Sequence, residues 1–429
     1  MVSIQSVIFH AENKDLFSKL DVIEPKAMHG QPEVIWDKAE GCYVYDEQGN
    51  KFIDFTSGVL IANCGHNHPK VNNAIKQVLD QGLLTSYIFV NKHRVKLIES
   101  ILCHVPTGFE QVLLFCSGSE AIEAALKLAK NYAKNKYSAA KRYTLSFNGS
   151  FHGRTLGSQL AGGIPALKDW IGEGYTDFIQ VPFPDEDIEG TTNFSEFLNC
   201  LKKQNISPRD LSTLLFETYQ GGVVKFAPVN FMRDIRKWCK ENDICLIMDE
   251  VQAGFGRTGR WWGFEHYGIV PDLIVCGKGI SSSLPVSAVI GRKELMDQFS
   301  PGAMSTTHSG NPLCCAAAAA NIEVIEEEAL VENAALVGEV LQQRVSEIIF
   351  PYQQIIKGAY GKGLVTGIHF INAQDAHKTV EACIKKRLMI FNPVGVKSTT
   401  VKINPPLTIS KELLEEGLYI FEDVLKALF

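Results

Sequence analysis

The sequence lacks the features of a disulfide-stabilised protein or a zinc protein. Its 11 cysteines are scattered along 429 residues, and none of them forms a C-x-x-C pair. Disulfide frameworks of secreted proteins and structural zinc sites show regular cysteine spacings, so neither is expected here. We therefore predict reduced thiols, no bound metal and a cytoplasmic location.

Long apolar runs and an excess of positive charge are also missing. No segment approaches the roughly 20 apolar residues that cross a bilayer, and the first twenty residues include Glu12, Lys14, Asp15 and Lys19 instead of the apolar core of a signal peptide. The net charge is -6, which disfavours binding to nucleic acid or to an anionic membrane. The expected partner is a small polar molecule, with no nucleic acid and no membrane.

The middle of the chain alternates short apolar runs with helical periodicity. This pattern is typical of an α/β fold with a mainly parallel sheet flanked by helices. We place this large domain at residues 61–320 and a smaller α+β domain at 321–429. An N-terminal segment, 1–60, contains an antiparallel meander that packs with the small domain, and its first 30 residues are expected to be a short helix or a mobile arm. The predicted strands of the large domain are 112–116, 143–147, 178–181, 213–217, 244–248, 273–276 and 287–291.

An acid and an amine follow two of these strands. Asp249 comes after ICLIM, and Lys278 comes shortly after LIVC. Ligands of open α/β sheets bind outside the carboxyl ends of the strands. We therefore expect Asp249 and Lys278 to face one crevice.

The segment SGSEA, Ser117 to Ala121, stands between a predicted strand and a predicted helix. Free N–H groups and the helix dipole make such a junction an anion site. It lacks the G-K-[ST] signature of a P-loop. The alternative is that Ser117 or Ser119 is simply the N-cap of the helix.

Lys278 is flanked by Gly277 and Gly279. A desolvated lysine of low pKa is suited to forming a covalent bond with an aldehyde, whereas the alternative is an exposed lysine in a turn. A carboxylate such as Asp249 keeps a pyridine nitrogen protonated. An anion site, a carboxylate and a lysine at three strand ends together indicate a pocket for pyridoxal 5′-phosphate.

The chain resembles the class III, ω-type aminotransferases of PLP fold type I, relatives of the 4-aminobutyrate, ornithine and acetylornithine aminotransferases. The resemblance covers nearly the whole chain from about residue 35, and DEVQAGFGRTG followed by GKGIS is its most specific part. The other matching segments are GHNHPKV, CSGSEAIEAALKLA, FHGRTLG, ETYQGG, STTHSGNP, GKGLVTGIHF and INPPLTIS.

The resemblance implies the main contacts to the ring of the cofactor. Lys278 resembles the Schiff-base lysine, and Asp249 resembles the partner of the pyridine nitrogen. Gln252 is expected near the phenolic oxygen. Val251 is expected against one face of the ring and Phe151 against the other.

The resemblance also implies how the phosphate is held. Ser117, Gly118 and Ser119 match the phosphate cradle, and Glu217 matches a glutamate near the cofactor. Thr307 of THSGNP matches a residue that reaches the phosphate from the neighbouring subunit. A homodimer with shared active sites is therefore expected.

The motif FHGRT supplies two further residues. His152 is assigned to the cofactor-binding set. Arg154 resembles the arginine that holds the distal carboxylate of glutamate or 2-oxoglutarate, because its planar fork suits a carboxylate. The alternative for Arg154 is an ordinary surface arginine.

Two positions depart from the family pattern. Gly222 replaces an acid in the E-P-x-Q-G-E motif, and Lys402 replaces the arginine that pairs with it. The sequence therefore predicts that Lys402 binds the α-carboxylate of the substrate, or that this contact is absent. It also predicts that Gly222 leaves space for a bulkier substrate such as an amino sugar.

The resemblance implies a ping-pong aminotransferase that moves an amino group from glutamate or another amino acid to an oxo or aldehyde acceptor. Lys278 would hold the cofactor and transfer the proton. The same residues also serve a racemase, an epimerase or a 1,2-aminomutase. A non-catalytic PLP-binding protein is disfavoured because Lys278 and Asp249 are both present.

Overall fold

The computed structural model describes residues 16–429. Of the predicted arm or helix at the N-terminus, residues 1–15 lie outside the described residues, and a helix begins at Leu16. The helices are α1 (Leu16–Ile23), α2 (Ser57–Leu60), α3 (Pro69–Asp80), α4 (Lys92–Leu102), α5 (Gly118–Lys136), α6 (Leu156–Ala161), α7 (Phe194–Lys203), α8 (Val229–Glu241), α9 (Lys293–Met296), α10 (Pro312–Glu327), α11 (Leu330–Ile349), α12 (Ala373–Lys385) and α13 (Lys411–Leu428).

The strands form four sheets. In chain order they are β1 (Trp36–Glu40), β2 (Tyr43–Asp46), β3 (Lys51–Asp54), β4 (Gln111–Phe115), β5 (Tyr143–Phe147), β6 (Phe178–Val181), β7 (Leu211–Glu217), β8 (Tyr219–Gln220), β9 (Lys225–Phe226), β10 (Cys245–Asp249), β11 (Leu273–Cys276), β12 (Ser287–Gly291), β13 (Ile356–Lys362), β14 (Val365–Phe370), β15 (Leu388–Met389) and β16 (Thr400–Ile403).

The largest sheet has seven strands in the order β4-β12-β11-β10-β7-β5-β6. Strand β12 runs antiparallel to both of its neighbours, and the other neighbouring pairs are parallel. Strands β10 and β11 are buried along their whole length, which explains their continuous apolar sequences. The predicted α/β class with a mainly parallel sheet is confirmed.

Helices cover this sheet and pack on one another. Helix α5 packs against β7, β10, β11 and β12, and its alanine and leucine side chains are buried there. Helix α10 packs against α3 and α4. Its buried run of small side chains, 316–320, lets these helices approach closely.

The N-terminal meander and the C-terminal segment form one sheet together. Strands β1, β2 and β3 are antiparallel, and β15 adds to β3 in parallel, with Leu388 beside Ile53 and Met389 beside Asp54. A separate antiparallel sheet, β13-β14-β16, completes the smaller α+β part. The domain limits at residues 60 and 320 stay predictions.

Strand β13 was not predicted from the sequence. Its sequence, IKGAYGK, contains two glycines and two exposed lysines, and its burial does not alternate. Glycine and lysine are both uncommon in strands. Pairing with β14, rather than intrinsic preference, therefore forms this strand.

Two negative findings apply to the described part of the chain. None of the helices between residues 16 and 429 combines the length and the apolar character that a bilayer-spanning helix needs. Within the same residues, no group of three or more His, Cys, Asp or Glu side chains is arranged to hold a metal ion.

Candidate active site

A cavity of about 320 Å³ opens at the carboxyl ends of β4, β7, β10 and β11. All of the predicted cofactor-binding residues except Thr307 line it, which places them together as the strand order requires. The lining residues are Ile61, Cys116, Ser117, Gly118, Ser119, Phe151, His152, Gly153, Glu217, Tyr219, Asp249, Val251, Gln252, Ala253, Lys278, Ser283, Leu284, Pro285 and Val286.

The Asp249 carboxylate is fixed by two contacts. Its Oδ2 lies 2.8 Å from Nδ1 of His152, and its Oδ1 accepts a 3.0 Å hydrogen bond from the backbone N–H of Val251. Because the carboxylate accepts, Nδ1 of His152 carries the proton in this contact. Both side chains are buried, and Nε2 of His152 has no hydrogen-bond partner within the described chain. Asp249 is thus an oriented acceptor in the wall of the cavity.

Glu217 stands beside Asp249 on the adjacent strand. Its carboxylate accepts 3.0 Å hydrogen bonds from the backbone N–H groups of Phe151 and Gly221. Burial raises the pKa of Glu217 to about 7, and the negative charge of Asp249 contributes to the rise. Glu217 can therefore exchange a proton near neutral pH.

The amine of Lys278 lines the cavity and is free of protein partners. It makes no hydrogen bond or ion pair within residues 16–429. Burial lowers the pKa of Lys278, while the negative charges of Asp249 and Glu217 oppose this effect. A lysine with a lowered pKa at a cavity wall is suited to nucleophilic chemistry.

The backbone around Lys278 is held in an uncommon conformation. Lys278 has a φ of 44°, in the left-handed region, and opens a 3-10 helix that runs to Ile280. A Cβ at Gly279 would lie 2.4 Å from Nδ2 of Asn63, so only glycine fits there. Such a turn projects the lysine side chain directly from the end of β11.

The junction between β4 and α5 combines a cap with an anion site. Ser117 is the N-cap, and it forms a capping box with Glu120. The N-cap interpretation is therefore confirmed for Ser117. The N–H groups of Gly118 and Ser119, at the first two helical positions, have no acceptor within the helix and border the cavity. Cap and anion site coexist in this segment.

Gly118 leaves the space that a phosphate needs. A Cβ built at Gly118 would lie 3.1 Å from Cγ1 and 3.3 Å from Cγ2 of Val251, so any side chain there would press on the cavity wall. An N-terminal helix turn, an unpaired amine and an oriented carboxylate now surround a single cavity. These residues fit pyridoxal 5′-phosphate, which carries a phosphate, an aldehyde and a pyridine nitrogen.

Four predicted residues lie outside the cavity lining, namely Thr307, Arg154, Gly222 and Lys402. Thr307 is exposed in this chain, in keeping with the prediction that it serves a neighbouring subunit. The Arg154 guanidinium lies 5.5 Å from the centre of the Phe151 ring at an exposed position. A Cβ at Gly222 would lie 3.2 Å from Cα of Gly395, and Gly222 is not among the residues that line the cavity. The expectation that Gly222 enlarges the substrate space therefore gains no support.

Lys402 lies behind the cavity wall. It is only 3% exposed, and its Nζ donates 3.1 Å hydrogen bonds to the carbonyl oxygen of Gly221 and to Oε1 of Gln252. Burial, together with the positive charge of Lys278, lowers the pKa of Lys402 to about 7. Protein oxygens accept two of the hydrogen bonds that its amine can donate, and the contact of Lys402 with a substrate stays a prediction.

Sequence reasoning missed several residues that line the cavity. Tyr219 is 1% exposed, and its hydroxyl donates a 3.2 Å hydrogen bond to the carbonyl oxygen of Gln252. The segment Ser283 to Val286 forms another part of the wall. Its serines and proline after Gly279 are a turn signal at a strand end, and this signal could have revealed the segment.

Comparison with known proteins gives consistent results. Residues 26–425 match the family model described as aminotransferase class-III. The acetylornithine aminotransferase of Caldanaerobacter subterraneus subsp. tengcongensis is 32% identical over 389 residues, which cover 90% of this chain and 93% of that protein. The alanine/serine racemase of Pyrococcus horikoshii is 33% identical over 417 residues, covering 90% of this chain and 84% of that protein.

A solved structure shows the same fold. A Bacillus anthracis aminotransferase superposes with a TM-score of 0.85 at 27% identity, covering 92% of this chain and 94% of that chain. The match extends over both the large sheet and the smaller α+β part. The expected fold of PLP-dependent aminotransferases is thereby confirmed.

Proposed function

The chain belongs to the class-III aminotransferases, and from that premise we propose that it moves an amino group from glutamate or another amino acid to an oxo or aldehyde acceptor by a ping-pong mechanism. Enzymes of this family use pyridoxal 5′-phosphate. The observation that carries the proposal is the unpaired amine of Lys278, which shares one cavity with the oriented carboxylate of Asp249. We expect two half-reactions at this one site, the first taking the amino group from the donor and the second giving it to the acceptor.

We propose the following contacts to the cofactor. Ser117, Gly118 and Ser119 would hold its phosphate, and Asp249 would pair with its ring nitrogen. When bound, pyridoxal phosphate supplies an electron sink for the pair released when a C–H bond beside the amine breaks. His152 contributes by keeping the Asp249 carboxylate oriented.

Lys278 is the proposed proton carrier. Burial lowers the pKa of its amine, and this favours the neutral form that can accept a proton. As base it would take the proton from the carbon that bears the donor's amino group, and as acid it would give a proton to the aldehyde carbon of the bound cofactor instead of returning it to the donor. Because this amine has no hydrogen-bond or ion-pair partner within residues 16–429, it is free to move within the cavity.

Arg154 is the proposed carboxylate ligand. Its guanidinium is exposed and stands over Phe151, next to the cavity. A planar fork of N–H donors suits a carboxylate. The acetylornithine aminotransferase relative supports a carboxylate-bearing substrate. An amino-sugar substrate has no comparable support, because Gly222 is not among the residues that line the cavity.

We also propose a homodimer with shared active sites. The exposed apolar segment Tyr87 to Val90 supports this, because Phe89 is 77% exposed and Val90 is 83% exposed. Thr307 is exposed as well and is available to a second copy of the chain. A single-chain mass in light scattering would contradict this assembly.

A cytoplasmic location is supported by the unpaired state of the cysteines.

Racemisation is the second candidate activity, because one similar protein is an alanine/serine racemase. Both reactions begin with removal of a proton by a lysine, so the cavity alone is compatible with each. They differ in products: transamination releases an oxo acid and consumes an acceptor, whereas racemisation returns the other enantiomer of the donor.

A substrate panel tests the proposal. The purified holoenzyme is incubated with amino acids, ω-amino acids, simple amines and amino sugars, and the absorbance of the bound cofactor is followed before and after 2-oxoglutarate is added. We expect amine-dependent loss of the aldehyde absorbance, its recovery with the oxo acid, and glutamate formed in proportion to the oxo product. Enantiomer interconversion without an oxo product would establish the racemase instead.

A further inference from the structure

We infer that Lys402 is a positioning residue that fixes the side-chain amide of Gln252 in the cavity wall, and that it is not a ligand for the substrate. The inference rests on the proposed function only in naming the cofactor that this wall faces. It assigns Lys402 a task different from carboxylate binding.

The Lys402 amine has two acceptors in the protein. Lys402 extends from β16 of the three-stranded sheet, and its Nζ donates two hydrogen bonds of 3.1 Å, one to Oε1 of Gln252 after β10 and one to the carbonyl oxygen of Gly221 after β8. Gly222 brings no side chain that could compete for the amine. The aromatic rings of Tyr219 and Phe391 lie 6.0 and 5.9 Å from Nζ and enclose it further.

The side-chain amide of Gln252 turns its oxygen towards Lys402. An ammonium group has only donors, so a glutamine beside it must turn its oxygen towards it. Gln252 thereby directs its NH2 group away from Lys402. Within residues 16–429 this group donates no hydrogen bond, although Gln252 lines the cavity. Lys402 thus provides the cavity with a correctly oriented pair of N–H donors.

Gly221 packs directly against the side-chain amide of Gln252. A Cβ there would lie 2.2 Å from Nε2 and 2.8 Å from Cδ of Gln252, so the amide occupies the space that a side chain would need. The Gly221 N–H is held by Glu217, and its carbonyl oxygen is held by Lys402. Lys402, Gly221 and Gln252 therefore form one packed unit, in which two donors of the buried Lys402 amine are bound to protein oxygens.

The charge around Lys402 fits this role. Burial and the positive charges of Lys278 and Arg257 lower the pKa of Lys402 to about 7, against the opposing effect of the negative charge of Glu217. Neutral or charged, the amine keeps hydrogen atoms to donate to Gln252. A side chain held in this way acts through its neighbour and does not need to move during turnover.

A double-mutant cycle tests the inference. The dissociation constant of pyridoxal phosphate is measured for the wild-type holoenzyme and for Lys402→Met, Gln252→Leu and the double variant, together with the absorbance maximum of the bound cofactor. We expect Lys402→Met to weaken binding about tenfold and to shift this maximum, as loss of one hydrogen bond to a charged group does. In the Gln252→Leu background the same substitution should change binding less than twofold. Lys402→Arg should restore most of the affinity.

Two results would overturn the inference. One is full additivity, in which Lys402→Met weakens binding equally in both backgrounds. The other is a selective rise in KM for glutamate over a matched amine without a carboxylate, which would make Lys402 a substrate ligand. If Lys402→Met does not fold, Lys402→Gln replaces it with the same expected coupling, because a neutral amide does not dictate the direction of Gln252. Failure of transamination in the wild type would refute the proposed function but would leave the cofactor-binding cycle interpretable.

Discussion

Gly118→Ala should weaken cofactor binding while leaving the fold intact. The added methyl group would lie 3.1 Å from Cγ1 of Val251, a contact tighter than normal packing allows. Helix propensity favours the substitution by about 0.5–1 kcal/mol, whereas overpacking costs about 1–3 kcal/mol. The folded chain can absorb this net change. Cofactor binding, in contrast, also depends on Val251, which the added methyl group would displace from its place in the cavity wall. Cofactor affinity should therefore fall about tenfold or more, which corresponds to about 1.4 kcal/mol.

The assay measures pyridoxal phosphate affinity by titration of the apoprotein, alongside its thermal unfolding. Gly277→Ala is the matched control, because its Cβ would approach the same Val251 side chain at 3.5 Å, an ordinary contact distance, on extended backbone. Adding Val251→Ala to Gly118→Ala should restore much of the affinity by removing the crowded methyl groups. Wild-type affinity in Gly118→Ala would refute the assignment of this turn as the phosphate cradle.

Three further predictions concern single residues. Lys278→Ala should abolish amino transfer in a coupled assay while the protein still binds the cofactor non-covalently, and measurable turnover in this variant would contradict its role. Arg154→Ala should raise KM for glutamate about tenfold, the loss of roughly one charge-assisted pair, with little change for an amine without a carboxylate; an equal effect on both donors would point to a structural role. For Lys402 the folded pKa, about 7, lies below the ordinary 10.5, so the folded state releases this proton first as pH rises. The free energy of unfolding should therefore increase between pH 7 and about pH 10 by at most about 1.4 kcal/mol per pH unit, and chemical denaturation of Lys402→Met should lack this contribution.

Much of the fold and the centre of the site could be predicted because local signals and sheet topology agree there. Strands 143–147, 178–181, 273–276 and 287–291 have the predicted limits. Their short length, their β-branched and aromatic residues and the turn residues that flank them distinguish these runs from buried helices. Since parallel strands direct their carboxyl ends to one edge, the joint location of Asp249 and Lys278 followed from topology alone.

The remainder depended on contacts between residues that are distant in the sequence. The sequence left open whether Lys402 contacts a substrate carboxylate, because its acceptors in the protein, Gln252 and Gly221, lie 150 and 181 positions earlier, and no local pattern reveals them. Gly222 was expected to leave space for a bulkier substrate because it has no side chain, and the sequence could not show that the backbone of Gly395 lies beside it. Strand β13 is formed by its partner strand against its own composition.

The shared sheet of β3 and β15 has a consequence for how the protein is made. Ile53 and Asp54 leave the ribosome early, but Leu388 and Met389 are synthesised only near the end of the chain. Until then, the outer edge of the N-terminal meander presents unpaired backbone groups, which are a template for intermolecular association. Closing this sheet also requires one of the most distant contacts in the chain, and such contacts form slowly. Polypeptides that terminate before residue 388 should therefore aggregate instead of accumulating as a folded N-terminal fragment.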